Sequence, residues 1–226
     1  MTRKVAEGFY MDQGKYYDSN IYIFLNEENK ILLIDSGSGD FKNQPELALW
    51  NVDLKIKDVE KIIFTHKHYD HIGGARKLPH AKLYCGYGDL HAIRNGDESI
   101  LYHVFNARPI KYENIEPLKE GDKIIWGEFE LLVLETPGHT MGSISLYEPN
   151  KKWIFSGDAL FGDGNLPNPM FSEDYGKVFD SIDKIMDLDW EYLFPGHGLP
   201  GTKEEIKSYL DVVLPRLRKI YKKEKE

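Results

Sequence analysis

A single cysteine, Cys85, stands in the whole chain, so no disulfide can form within it. That usage fits a reducing compartment, although a secreted protein without disulfides would look the same. Basic residues are outnumbered by acidic ones. Against 37 Asp and Glu there are 29 Lys and Arg, a formal net charge of −8. Nucleic-acid binding through a broad basic surface is therefore not expected, because phosphate contact needs clustered cations. No apolar run is long enough to span a bilayer, and Met1 to Gly8 lack the apolar segment of a signal peptide. A cytoplasmic protein acting on a small molecule is the default expectation, with room for a homo-oligomer. No Gly/Ser-rich or Pro-rich linker divides the 226 residues, so one domain over residues 1–226 is expected.

The chain reads as alternating strands and helices. Ile21–Leu25 and Ile31–Ile34, joined by a polar turn, read as a hairpin that ends in Asp35-Ser36-Gly37-Ser38-Gly39. Pro45 to Trp50 reads as a short helix and Val59 to Thr65 as a strand, followed by a short helix that starts near Ile72 and stops near Leu78. Lys82–Cys85 reads as a further strand, with Cys85 as a small core residue, and Gly88 to Arg94 as helical. Asn95 to Pro117 fits neither period; it is either surface decoration or a substrate loop. Beyond Gly121 come a hairpin around Gly127, strands at Ser143–Tyr147 and Lys152–Phe155, and a Gly/Pro/Asn-rich loop from Phe161 to Phe171. An amphipathic helix at Tyr175–Met186, a strand at Trp190–Phe194, and a last helix from Lys203 to Tyr221 with a frayed tail complete the reading.

Chemistry concentrates at strand ends. His66-x-His68-x-Asp70-His71 follows the apolar run Lys61-Ile62-Ile63-Phe64, and imidazole with carboxylate is the ligand set of zinc and related ions. Three more breaks repeat the grammar: Pro137-Gly138-His139, Ser156-Gly157-Asp158 and Pro195-Gly196-His197-Gly198. Five of the eight histidines fall on such breaks; His80, His91 and His103 do not, and read as surface or packing residues. Five imidazoles and two carboxylates exceed the needs of one tetrahedral ion and suit two metals sharing a bridge. A lone histidine after Pro-Gly is usually only a turn residue, so it is the joint pattern that points to metal. By its local sequence alone, Asp35 reads as a turn or cap residue.

His66-x-His68-x-Asp70-His71-Ile72-Gly73-Gly74, Thr136-Pro137-Gly138-His139-Thr140-x-Gly142-Ser143, Gly157-Asp158-Ala159-Leu160-Phe161 and Gly196-His197-Gly198 together resemble the metallo-β-lactamase superfamily, in that family's order. The resemblance runs from about Ile21 to His197. It implies an α/β fold, an αβ/βα four-layer sandwich of two mixed sheets with helices outside and metals at one edge. It implies that His66, His68 and His139 hold a first metal, that Asp70, His71 and His197 hold a second, and that Asp158 bridges them. Asp35 matches the family's Asp-x-Gly, which gives it a role orienting a metal ligand.

Class B β-lactamases usually lack a histidine matching His71, and many carry cysteine where Asp158 stands, so antibiotic hydrolysis is not expected as the main activity. Flavodiiron oxidoreductases carry Glu at the position of His68, and the β-CASP and tRNA-processing nucleases need an inserted domain or a basic arm not visible here. The glyoxalase II-like thioesterases, which are hydroxyacylglutathione hydrolases, look closest. Their glycine-arginine segment after the bridging aspartate is replaced by Gly162-Asp163-Gly164-Asn165-Leu166-Pro167, and their C-terminal helical domain by one helix after Thr202. The expected activity is cleavage of a thioester, ester or lactone by a hydroxide shared between two divalent ions, zinc first and iron or manganese as alternatives, with Asp70 and Asp158 as catalytic carboxylates. Tyr87, Arg108, Lys111 and Phe161 are the substrate-facing candidates. The alternative is a persulfide dioxygenase-like oxidoreductase, with one iron on His66, His139 and Asp158.

Overall fold

In the computed structural model, residues 2–40 and 45–225 are described. Seven strands form one sheet in sequence order: β1 (Thr2–Ala6), β2 (Phe9–Asp12), β3 (Ile21–Leu25), β4 (Ile31–Ile34), β5 (Val59–Phe64), β6 (Lys82–Gly86) and β7 (Ile115–Leu118). Its first four strands pair antiparallel and β4 to β7 run parallel. Six strands form the other: β8 (Lys123–Trp126), β9 (Phe129–Glu135), β10 (Ile144–Glu148), β11 (Trp153–Gly157), β12 (Tyr192–Pro195) and β13 (Gly201–Thr202). They are antiparallel except for the parallel pair β11 and β12.

The period-2 alternation of each strand explains the layering. In β3 and β4, Tyr22, Phe24, Leu32 and Ile34 face a core shared with Phe129, Leu131, Val133, Phe155 and Phe194 of the other sheet. Their neighbours Ile21, Ile23, Ile31 and Leu33 point outward against a helical layer that includes α1 (Pro45–Trp50), α2 (Tyr69–Ile72) and α3 (Leu90–Asn95). On the far side Ile154 and Leu193 pack against α4 (Tyr175–Asp187) and α5 (Lys203–Lys225) through Val178, Ile182, Ile185, Ile206 and Leu210. Two mixed sheets are thus packed face to face with helices outside. Both faces of the central strands are apolar because both are covered.

The expected elements form, with differences at their edges. The helix of the His66 segment begins at Tyr69 rather than near Ile72, so Asp70 and His71 lie inside its single turn, and a tighter turn over Gly73–Lys77 follows. The last helix continues to Lys225 with Pro215 inside it, so its expected frayed end is helical to that point, and Glu226 lies outside the described residues. Strands β1, β2, β7 and β13 are additional. Cys85 is fully buried on β6, and burial, reinforced by the Asp89 carboxylate, pushes its thiol up to about 12.

Candidate metal centre

Every candidate ligand stands just beyond the C-terminal end of a strand. His66 and His68 follow β5, with Asp70 and His71 in α2; His139 follows β9, Asp158 follows β11 and His197 follows β12. Packing the two sheets brings these ends to one edge. His66 Nε2 lies 3.0 Å from His68 Nδ1, and His71 Nε2 lies 3.2 Å from His197 Nε2. Asp158 reaches His71, His139 and His197 at 3.5 Å each. Asp70 Oδ2 lies 3.0 Å from His197 Nε2.

Three groups gather ligand atoms within 4.8 Å of one another: His66 with His68 and His139, His66 with His71 and Asp158, and Asp70 with His71 and His197. All seven sequence candidates are therefore brought together. Within the cluster, His139 Nε2 and Asp158 Oδ1 are buried without a hydrogen-bond partner. Buried polar atoms ordinarily find partners, and unmet ones among imidazoles and carboxylates fit a cation.

The protonation states follow from position. Burial, helped by the neighbouring imidazoles, holds His66 and His68 well below the usual histidine value. His139 is also lowered by burial, in spite of the Asp158 carboxylate. Burial alone would lower His71, but the carboxylates of Asp35, Asp70 and Asp158 outweigh it and lift the ring to about 10. Burial opposes the charge of Asp70 too, yet the neighbouring His71 and His197 hold it far below the ordinary carboxylate range.

Asp35 is fully buried at the end of β4 and spans three donors. It accepts from Thr65 N and Thr65 Oγ1 at 2.8 Å each, and its Oδ2 lies 2.8 Å from His71 Nδ1. Its φ of 58° is in the left-handed region, which Asp tolerates better than most residues and which here aims the carboxylate at His71. Opposite, His197 Nδ1 lies 3.0 Å from the Asp18 carbonyl. An N–H donated from Nδ1 to these acceptors turns each Nε2 toward the cluster, where it can exchange its proton for an ion.

Asp89 carries no motif, and sequence reasoning missed it. It is fully buried, and its Oδ2 accepts from Lys67 N at 2.9 Å and from Thr140 Oγ1 at 2.6 Å, while Oδ1 accepts from Gly142 N at 3.0 Å. One carboxylate thus ties the His66–His68 loop to the loop of His139. Lys67 extends the tie to Glu173, Nζ to Oε1 at 2.5 Å, and Glu173 accepts from Met141 N at 2.6 Å. The only sequence signal was an acid ahead of a helix, which reads equally well as a cap.

Two cavities open from the cluster and share His139, Asp158, Phe171 and His197. One, of about 730 Å³, is walled by Tyr16, Tyr17, Leu101, Val104 and Phe105. The other, of about 620 Å³, runs past Phe161, Asn165, Leu166 and Leu199. The two segments read as irregular therefore both line the openings. Phe161 is at the site, its ring 6.3 Å from that of His197. Tyr87, Arg108 and Lys111 line neither cavity. Tyr87 is 61% exposed beside Lys119, whose Nζ is 5.4 Å from its ring, and Lys111 pairs with Glu113 at 2.6 Å on the surface. Arg108 is exposed.

A family model described as the metallo-beta-lactamase superfamily matches residues 15–197. The chain belongs to that superfamily, whose members generally bind divalent metals, and it is an enzyme of the hydrolase kind found there. It is 31% identical over 199 residues to a probable metallo-hydrolase of Methanocaldococcus jannaschii, covering 84% of this chain and 92% of that one. It is 29% identical over 201 residues to a hydroxyacylglutathione hydrolase of Bdellovibrio bacteriovorus, covering 86% and 67%. A crystal structure of TTHA1623 in a di-iron-bound form superposes with a TM-score of 0.70 at 27% identity, covering 86% of this chain and 95% of that one. Among the described residues no helix is long and apolar enough to cross a membrane.

Proposed function

We propose that His66, His68 and His139 hold one divalent ion, that Asp70, His71 and His197 hold a second with Asp158 between them, and that the protein hydrolyses a thioester, ester or lactone. The observation that carries this reading is the convergence of seven ligand-type side chains from four strand ends, with His139 Nε2 and Asp158 Oδ1 lacking any protein hydrogen-bond partner. The donors are nitrogen and oxygen only, a set that suits zinc, iron and manganese; zinc is the ion proposed for both positions. Such ions, when bound, lower the pKa of water from about 15.7 toward 7 and polarise a carbonyl oxygen.

The protein groups do the rest. Asp35 and the Asp18 carbonyl hold the rings of His71 and His197 with Nε2 inward. Asp158 offsets positive charge at the centre. Asp70, kept ionised by the two imidazoles beside it, accepts a hydrogen bond from the attacking water and aims its lone pair at the carbonyl carbon. Thiolate and alkoxide leaving groups need less protonation than an amine, so a site without a dedicated general acid suits them.

The test is metal content on protein purified without added metal, together with thiol release from a panel of thioesters. Two zinc ions per chain, thioester turnover, and loss of turnover in His66→Ala and Asp158→Ala are expected. One iron per chain with dioxygen uptake would favour the oxidative reading; full thioester turnover by Asp158→Ala would overturn the assignment.

A further inference from the structure

The walls of the two cavities carry information about substrate that the ligand cluster does not. In the larger cavity Tyr16, Tyr17, Val104 and Phe171 are 91%, 82%, 54% and 43% exposed. Large apolar and aromatic side chains held open around a catalytic floor are unfavourable in water and mark a surface made to be covered. Apart from tyrosines, the titratable side chains lining this cavity all belong to the cluster itself. The smaller cavity adds only Asp163, with Asn165 and Asn168 as neutral polar groups. Neither is lined by lysine or arginine among the described residues. The neighbouring hollow behind Tyr16 and Tyr17 does contain Lys15, but opposes it with Asp18 and Asp40.

A carrier bearing phosphates or carboxylates, such as coenzyme A or glutathione, would bring anions beside carboxylates with no lysine or arginine in either described lining to receive them. Desolvating unpaired charge is unfavourable, and like charges at short range reject a ligand. The relative named for glutathione conjugates is therefore a poor guide to the carrier here. An aliphatic or aromatic acyl arm, in contrast, would cover the exposed rings and gain about fourfold in affinity per buried methylene.

We propose, building on the hydrolase reading above, that the substrate is an uncharged ester, thioester or lactone whose apolar acyl arm lies against Tyr17, Val104 and Phe105. The carbonyl then sits over the cluster where the two cavities meet, and the uncharged leaving group lies on the Phe161 side. Water attacks the carbonyl carbon, the bond from that carbon to sulfur or oxygen breaks with its electron pair, and the leaving group takes a proton as the free thiol or alcohol. Val104 and Phe105 set acyl specificity.

The experiment compares acetyl, hexanoyl and decanoyl thioesters of N-acetylcysteamine, an uncharged thiol, with the same acyl groups on glutathione and on coenzyme A, using metal-loaded enzyme. The expected result is a kcat/KM that rises steeply from acetyl to hexanoyl, and at least about tenfold preference for the uncharged carrier over both anionic ones. Val104→Asp, at an exposed position whose change spares the core, and Phe105→Ala each lower the decanoyl-to-acetyl ratio about tenfold. S-decyl-N-acetylcysteamine, a thioether that cannot be hydrolysed, is titrated by tyrosine fluorescence as a binding readout. It binds more tightly than its S-ethyl counterpart, and Val104→Asp weakens it. A flat chain-length profile, or a preference for either anionic carrier, overturns the inference while leaving the hydrolase reading standing. If no thioester is turned over, the thioester form of the hydrolase reading fails, and the thioether titration decides the apolar cavity: equal binding of the decyl and ethyl compounds overturns it.

Discussion

At the scale of residues, the seven cluster side chains were legible because they are ligand types packed at strand-end breaks, where few structural roles call for them. Asp35 was legible only through its resemblance to a family pattern; locally it is one more turn aspartate. Its three partners, Thr65 N, Thr65 Oγ1 and His71 Nδ1, come from residues about thirty positions away, beyond any local rule. Asp35→Asn keeps the size but removes the charged acceptor for His71, and is expected to weaken metal affinity about 10- to 100-fold, read by chelator competition. Asp89 had no signal beyond an acid ahead of a helix, since its worth comes entirely from what folds around it. Asp89→Ala strands the buried Lys67 and Gly142 N–H groups, at about 1–3 kcal/mol for each unmet donor. A drop in urea unfolding midpoint together with weaker metal binding is expected; a change in stability alone would mean that the tie between the two histidine loops does not reach the ligands. Tyr87, Arg108 and Lys111 mark the opposite failure. Charge and aromaticity suggested substrate contact, but Tyr87 and Lys111 have partners on the surface, and Arg108 is exposed and lines neither cavity.

At the scale of elements, strands with continuous apolar runs were readable, and the short edge strands were not. β1 alternates little and carries Arg3 and Lys4; β7 contains Pro117 at a sheet edge, where a missing N–H is tolerated. The start of α2 was misplaced because Tyr69, Asp70 and His71 show no apolar face of helical period, being directed by the site. Glycines at the strand ends have a specific task. A Cβ on Gly196 would fall on Asp158 Oδ1 and 2.8 Å from His71 Cε1. Gly138, at φ 135°, has no room either, pressed against Val178 at the start of α4. Gly196→Ala is expected to displace Asp158, lowering thioester kcat at least about 100-fold and metal occupancy with it, while circular dichroism shows both sheets intact. Normal metal content in that variant would show that β12 has slack the packing does not suggest.

At the scale of the whole molecule, individual strands were foreseeable from their apolar runs, but their division into two packed sheets came only through the resemblance. The meeting of the two sheets' strand ends at the cluster was likewise foreseeable only through the resemblance, since nothing local says which strand ends meet. His66, His68, Asp70 and His71 belong to the first sheet's side, and His139, Asp158 and His197 to the second's. Ions held as proposed would fasten one sheet to the other, and any ion that binds only the folded chain stabilises it by mass action, about 4 kcal/mol at a free concentration a thousand times Kd. Chelation is expected to lower the melting temperature by several degrees, and readdition of zinc to restore it; an unchanged transition would mean that the cluster does not hold its ions between the sheets. The account rests most directly on the metal-to-protein ratio of active protein purified without added metal. Two divalent ions per chain are predicted, and a metal-free sample that hydrolyses thioesters at full rate would contradict it.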